Sequence, residues 1–132
     1  MQKLCFAICL TALSCAAVAQ KSTTYPVVVR FGSLCCGVPS NAPVIKVIKS
    51  FKKQYKIKQV AADSIGPMGR EGEYYLAFRL KEFSKAQKAK FIQQLQKTAT
   101  TMKEQGYAEI LKNETVNKAD LSSGAAITLL KL

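Results

Sequence analysis

The 132-residue sequence contains no histidine and no tryptophan. Without histidine, the chain lacks the base of Ser-His-Asp and Cys-His catalysis and the commonest metal-binding side chain. Acidic residues are also scarce, since 8 Asp and Glu stand against 20 Lys and Arg, which gives a formal net charge of +12. No acidic residue is paired in the sequence with a nucleophile, so the composition favours a binding protein over an enzyme.

A long hydrophobic run is missing as well. The apolar stretch Leu4–Leu13 is too short to span a bilayer, which takes about 20 residues. Lys3 precedes this stretch, and Ala17-Val18-Ala19 follows it with the small residues of a cleavage site. The pattern predicts a signal peptide over residues 1–19 and export to the periplasm or the cell exterior, with a buried N-terminal helix as the alternative. No later segment is apolar enough to cross a membrane.

Cys15 gives this N-terminal segment a second interpretation. The residues Ala12-Leu13-Ser14 before it resemble the bacterial lipobox, so a lipid anchor on Cys15 is the alternative to a released domain. Cleavage after Ala19 would remove three of the five cysteines and leave Cys35 and Cys36. The remainder, residues 20–132, is long enough for a single domain with its own core.

Hydrophobic spacing predicts a β-α-β-β-α-β order for this domain. The predicted strands are 27–32, 57–62, 73–80 and 107–112, the predicted helices are 42–55 and 85–105, and 125–132 is a fifth strand or a short helix. This is the order of an α+β ferredoxin-like sandwich, with two helices on one face of an antiparallel sheet. The run Val27-Val28-Val29 is typical of a central strand buried on both faces, whereas the more polar second strand is expected at an edge.

Two details support this element assignment. Ser84 and Gln87 form a capping-box pattern at the start of the second helix. Alternation in the third strand predicts that Leu76 and Phe78 pack under that helix, together with Ile92 and Leu95.

The adjacent cysteines Cys35 and Cys36 are the most distinctive chemical feature. They are interpreted in four ways: buried small hydrophobes, a strained and easily reduced disulfide between neighbours that would act as a redox element, a site for a soft metal ion such as Cu(I), or intermolecular pairing. Gly32 and Gly37 give the backbone room to turn, and the following helix is expected to lower the thiol pKa through its dipole. Met68 is a remote further ligand.

A strand, a cysteine loop and a helix within β-α-β-β-α-β resemble the heavy-metal-associated, metallochaperone-like domains. Gly106-Tyr107-Ala108-Glu109 is also similar to the start of that family's final strand. In the family's C-x-x-C register, Cys35 matches the first cysteine and Val38 stands at the second. The resemblance implies a metal-binding role for Cys35.

Two further features point to anions. Gly69, Arg70 and Gly72 form a loop that could present amides to an anion, with a flexible hairpin loop as the alternative. The lysines on the helices predict weak attraction to anionic surfaces, unless they form an ordinary solvated face. Tyr75 and Arg79 are predicted on the open sheet face, where Glu71–Phe78 is partly similar to a strand of RNA-recognition domains, but an export signal argues against nucleic acid. Besides weak attraction to anionic surfaces, the sequence predicts a small ligand or a protein as the partner, without identifying it.

Overall fold

The computed structural model describes residues 22–103, 105–121 and 124–132. The elements, in chain order, are β1 (Ser22–Ser33), α1 (Ala42–Tyr55), β2 (Ala61–Gly66), β3 (Tyr74–Phe78), α2 (Lys85–Ala99), β4 (Gly106–Asn117), a short 3₁₀ turn (Lys118–Asp120) and β5 (Ala126–Lys131). The predicted signal peptide and Cys15 lie outside the described residues. Within the described ranges, no helix is both long and apolar enough to cross a membrane.

The five strands form one antiparallel sheet in the order β4-β1-β3-β2-β5. The prediction of an α+β fold with an antiparallel sheet and two helices is therefore confirmed, and the architecture is consistent with the ferredoxin-like class. The C-terminal segment is a strand rather than a helix. It adds a fifth strand to the four of a βαββαβ unit, beside β2.

β1 is the central strand that the sequence predicts. Its valines Val27, Val28 and Val29 are fully buried although successive side chains point to opposite faces of the sheet. Val27 and Val29 pack with the helices in the main core, whereas Val28 lies in a second cluster on the other face. β1 pairs with β3 on one side and with β4 along its whole length on the other.

Both helices cover the same face of the sheet through regularly spaced apolar residues. α1 buries Val44, Ile48 and Phe51 at helical spacing, and α2 buries Phe91 and Leu95. These side chains form one core with Leu76 and Phe78 of β3, and Ile92 is partly buried against it. The predicted packing of β3 under α2 is thus confirmed, as is the capping box between Ser84 and Gln87.

α2 is shorter than predicted, because it ends at Ala99 and not at residue 105. The hydroxyls of Thr100 and Thr101 donate hydrogen bonds to the carbonyl oxygens of Lys97 and Thr98, at 2.7 Å each. Threonine side chains that bond to the backbone in this way compete with helical hydrogen bonding. The chain then turns through Gln105, which has a left-handed φ of 61°, into β4.

Three strand predictions also need correction. β2 runs over 61–66 and not 57–62, and it is not an edge strand, because β5 pairs with its outer side. β1 begins at Ser22, before the predicted start at residue 27, and β4 continues to Asn117, beyond the predicted end at residue 112, and the two extensions pair with each other. β2 passes through Asp63 although an isolated carboxylate is costly to bury.

Asp63 is buried because two distant side chains hold its carboxylate. It is 1% exposed and lies on the sheet face that carries no helix. The Tyr25 hydroxyl donates a hydrogen bond to Asp63 Oδ2 at 2.6 Å, and Arg79 Nη2 donates to the same oxygen at 2.7 Å. Burial, followed by the hydrogen bond to Asp63, raises the pKa of Tyr25 to about 12. The trio links the start of β1 to β2 and to the end of β3.

The Tyr25 hydroxyl should make stability fall at alkaline pH. The folded pKa of about 12 lies above the ordinary tyrosine pKa of about 10, so the contribution is complete below about pH 10 and is lost as the pH rises through about 12. The loss should reach about 3 kcal/mol. Tyr25→Phe should remove this pH dependence and cost about 1–3 kcal/mol at neutral pH, because the buried carboxylate loses a donor. Denaturant titrations across this pH range measure both effects.

Tyr107→Phe is the matched control, since Tyr107 lies in the edge strand β4 and not in the trio. It should change the free energy of unfolding by less than about 0.5 kcal/mol. If Tyr25→Phe retained the wild-type alkaline profile, Tyr25 would not be the group responsible.

Candidate functional site

The cysteine pair lies in the loop that joins β1 to α1. β1 ends at Ser33 and α1 begins at Ala42, and between them the chain first projects into solvent. Leu34 is 75% exposed, and Cys35 and Cys36 are both exposed free thiols. The interpretation of the pair as buried hydrophobes is therefore wrong, and the structure shows no disulfide between them.

The second half of this loop is anchored, which leaves the cysteines at its tip. Val38 is partly buried and packs against the main core, and Pro39 is buried. Pro39 lies close against Gly106 at the start of β4, where a Cβ atom would clash with its ring. Cys36 has a left-handed φ of 67° and Gly37 follows at 118°, so the backbone turns sharply directly after the thiols. Val38, at the position of the second family cysteine, thus points inward to the core.

The connection between β2 and β3 lies beside the cysteine loop. Phe31 of β1 pairs with Tyr74 of β3, so the residues that follow β1 and those that precede β3 emerge at the same end of the sheet. Glu71 in this connection is close enough for its charge to act on the Cys35 thiol. The two sequence-predicted sites are therefore neighbours in the fold.

The electrostatics of the pair differ from the expected effect of a helix dipole. The pKa of Cys35 is raised, chiefly by the hydrogen bond with the Cys36 thiol, with desolvation and the Glu71 carboxylate acting in the same direction. The predicted lowering of the thiol pKa is therefore wrong for Cys35. A neighbouring thiol and a carboxylate outweigh a helix that begins only at Ala42, because dipole effects fade within about one turn.

The donor set around the pair suits an ion that needs few ligands. In the described part of the chain, no three Cys, Asp or Glu side chains group closely enough to hold a metal ion. Met68, the remote candidate, packs against the cluster on the helix-free sheet face. Two adjacent thiols thus form the available set, which leaves tetrahedral Zn(II) undercoordinated and fits Cu(I) better.

The side chain of Glu73 fills the space beside the predicted anion-binding loop. Gly69 and Arg70 are exposed, and Gly72 has a left-handed φ of 82°. The carboxylate of Glu73 lies so close to Gly69 that a Cβ atom there would clash with it. An anion at Gly69 would therefore meet a negative charge. The alternative interpretation, a hairpin connection between β2 and β3, fits this arrangement.

The comparisons with known proteins give no relative for this chain. No family model matches it, and neither the curated proteins nor the solved structures contain a significant match. The likeness to heavy-metal-associated domains therefore rests on the element order, on Cys35 and on the segment Gly106-Tyr107-Ala108-Glu109.

Sequence reasoning missed the contacts of Tyr25 with Asp63. It correctly placed Tyr75 and Arg79 on the open sheet face, since Arg79 reaches the buried Asp63 there and Tyr75 packs on the same cluster. Tyr25 and Asp63 are 38 positions apart, so no local pattern in the sequence indicates their contact.

Reactivity of Cys35 should respond to the two groups that raise its pKa. Cys36→Ala should accelerate its alkylation by iodoacetamide at neutral pH, because the thiol hydrogen bond is the largest cause of the raised pKa. Glu71→Gln should accelerate it by at most about twofold, since solvent screens an exposed charge. Mass spectrometry of the modified peptide measures the rates.

Glu82→Gln is the charge-matched control, because Glu82 lies with Tyr55 at the other end of α1. It should leave the rate unchanged. An unchanged rate in Cys36→Ala, or labelling that requires denaturant, would contradict the accessible, coupled pair.

Proposed function

We propose that this protein is a small exported ferredoxin-like binding domain whose exposed thiols Cys35 and Cys36 hold a thiophilic metal ion, with Cu(I) as the best fit. The observation that carries the proposal is the exposure of two adjacent free thiols at the tip of an anchored loop. A structural module with an inert cysteine pair would bury these side chains. The export signal over residues 1–19 stays a prediction, with the lipid anchor at Cys15 as its alternative.

The loop geometry supports two thiol ligands from one chain. Val38 and Pro39 hold the chain against the core, so the tip is presented by a fixed base. The thiols are close enough to share a hydrogen bond, which the metal would replace. Soft thiolate ligands select Cu(I) over harder ions.

Protons should leave the site as the metal enters. Each thiol must lose its proton to become a ligand, and the pKa of Cys35 is raised. Metal affinity should therefore increase with pH through the range in which Cys35 ionises. The negative charge of Glu71 opposes ionisation of the Cys35 thiol. Once the positive metal ion is bound, the repulsion between the Glu71 carboxylate and the thiolates is smaller.

A titration of reduced protein with Cu(I) against a competing chelator tests the proposal. The wild-type domain over residues 20–132, which keeps only Cys35 and Cys36, should bind one ion. Cys35→Ser and Cys36→Ser should each weaken binding by more than about tenfold, because loss of even an outer-shell partner costs about 10–100-fold. Zn(II) should bind much more weakly than Cu(I) to the same protein.

Leu34→Ala is the control within the same exposed loop, and Met68→Leu tests the remote sulfur. Both should bind Cu(I) as the wild type does, since Leu34 has no metal-binding atom and Met68 packs on the open-face cluster. Wild-type affinity in both serine variants would refute the proposed site.

A further inference from the structure

Acidic residues are absent from the two helices, whose charged residues are all basic. Each helix carries four lysines, and neither carries an acidic residue. The seven acidic residues in the described part of the chain lie in strands, in connections or in the short 3₁₀ turn. Six of the helical lysines are exposed: Lys46, Lys49, Lys53, Lys85, Lys90 and Lys97. The helix layer is therefore cationic throughout.

These lysines are brought onto one continuous surface by the packing of the helices. Both helices cover the same face of the sheet and run side by side in opposite directions. Lys46 near the start of α1 and Lys97 near the end of α2 line one groove of about 330 Å³ between them. At the other end, Lys90 of α2 lies over the Tyr55 ring of α1, with its Nζ 6.0 Å from the ring centroid.

The helix-layer lysines have no carboxylate partners among the described residues. The two ion pairs found there join Arg30 to Glu109 and Arg79 to Asp63, in the sheet. Lys52 donates a hydrogen bond to the backbone oxygen of Leu132 and pairs with no Asp or Glu side chain of the described residues. Unlike the usual exposed helix with i,i+4 pairs of opposite charge, this surface carries repulsion that an anionic partner would relieve.

We propose that the outer face of α1 and α2 docks on the surface of an anionic phospholipid bilayer. The charge complementarity is collective, since unpaired lysines along two adjacent helices meet a plane of negative headgroups. A bilayer attracts each nearby lysine separately, and the attraction adds up over the patch. This surface is separate from the cysteine loop, which lies beyond the N-terminal end of α1, so a docked domain would keep its thiols accessible.

The composition of the patch favours a bilayer over nucleic acid. Single-stranded nucleic acids are bound by aromatic side chains that stack on bases, but Phe51 and Phe91 are buried and Tyr55 is partly buried. Every basic residue of the two helices is lysine, and none is arginine, the residue suited to bidentate recognition of single phosphates. Lysines are point charges that suit a diffuse negative surface.

Vesicle co-sedimentation of the full chain tests this docking. The wild type should bind vesicles that contain phosphatidylglycerol at about 50 mM salt, and binding should weaken strongly at about 200 mM salt. Pure phosphatidylcholine vesicles measure how much binding comes from the apolar segment Leu4–Leu13 rather than from charge. The anionic vesicles should bind more protein than these neutral vesicles. Combined Lys46→Gln, Lys49→Gln, Lys53→Gln and Lys97→Gln should lower the partition coefficient by about tenfold or more.

The matched control removes the same charge from exposed lysines outside the helices, through Lys81→Gln, Lys112→Gln, Lys118→Gln and Lys131→Gln. It should lower partitioning by less than about threefold, because these side chains do not face the membrane together. Equal losses in the two variants would show that net charge alone attracts the protein and would overturn the proposal. It would also be overturned by equal binding to neutral vesicles, or by capture on single-stranded DNA without vesicle binding.

Discussion

The burial of β1 on both faces is the constraint on which the rest of the structure depends. Val27 and Val29 enter the core under the helices, while Val28 enters the smaller cluster on the opposite face. Burying a valine side chain is worth about 1.5–3 kcal/mol, so this strand is stable only in the middle of the sheet. Its central position makes β3 and β4 the strands that pair with β1 on either side. It also fixes where the chain must leave the sheet, and that exit is the cysteine loop.

The two faces of the sheet are buried by different elements. The helix-covered face is apolar, and its large rings pack closely, as in the edge contact of Phe78 with Phe91 at 5.5 Å between ring centroids. Neither α1 nor α2 covers the other face, where Tyr25 and Val116 of the strand extensions pack in the second cluster and the carboxylate of Asp63 is buried. Asp63 is retained there by Tyr25 and Arg79, which donate hydrogen bonds to one oxygen of its carboxylate, Oδ2.

The sequence allowed prediction of the features that local patterns control. The apolar spacing of α1 predicted its bounds from Ala42 to Tyr55, and the run of valines predicted a central strand. The features that depend on distant contacts were not predictable. β2 includes Asp63 only because residues 38 and 16 positions away satisfy it. β2 is internal only because the C-terminal segment pairs with it.

In the candidate site, too, local features could be predicted from the sequence, whereas features that depend on distant contacts could not. Adjacent cysteines were visible in the sequence, but their exposure was not, since it depends on Val38 and Pro39 packing inward. The raised pKa of Cys35 depends partly on Glu71, which the β2–β3 connection brings close. The lysines of the two helices were also visible, but a common surface exists only because both helices cover the same sheet face.

X-ray absorption spectroscopy of the Cu(I)-loaded protein tests the central claim most directly, because it counts the atoms bound to the metal. The account predicts two sulfur neighbours, contributed by Cys35 and Cys36 of one chain, without a shell of nitrogen or oxygen ligands. Three or more sulfur neighbours would require a further sulfur atom, from Met68 or from a second chain. That result, or a shell of oxygen and nitrogen alone, would contradict the assignment of the exposed pair as a self-sufficient site.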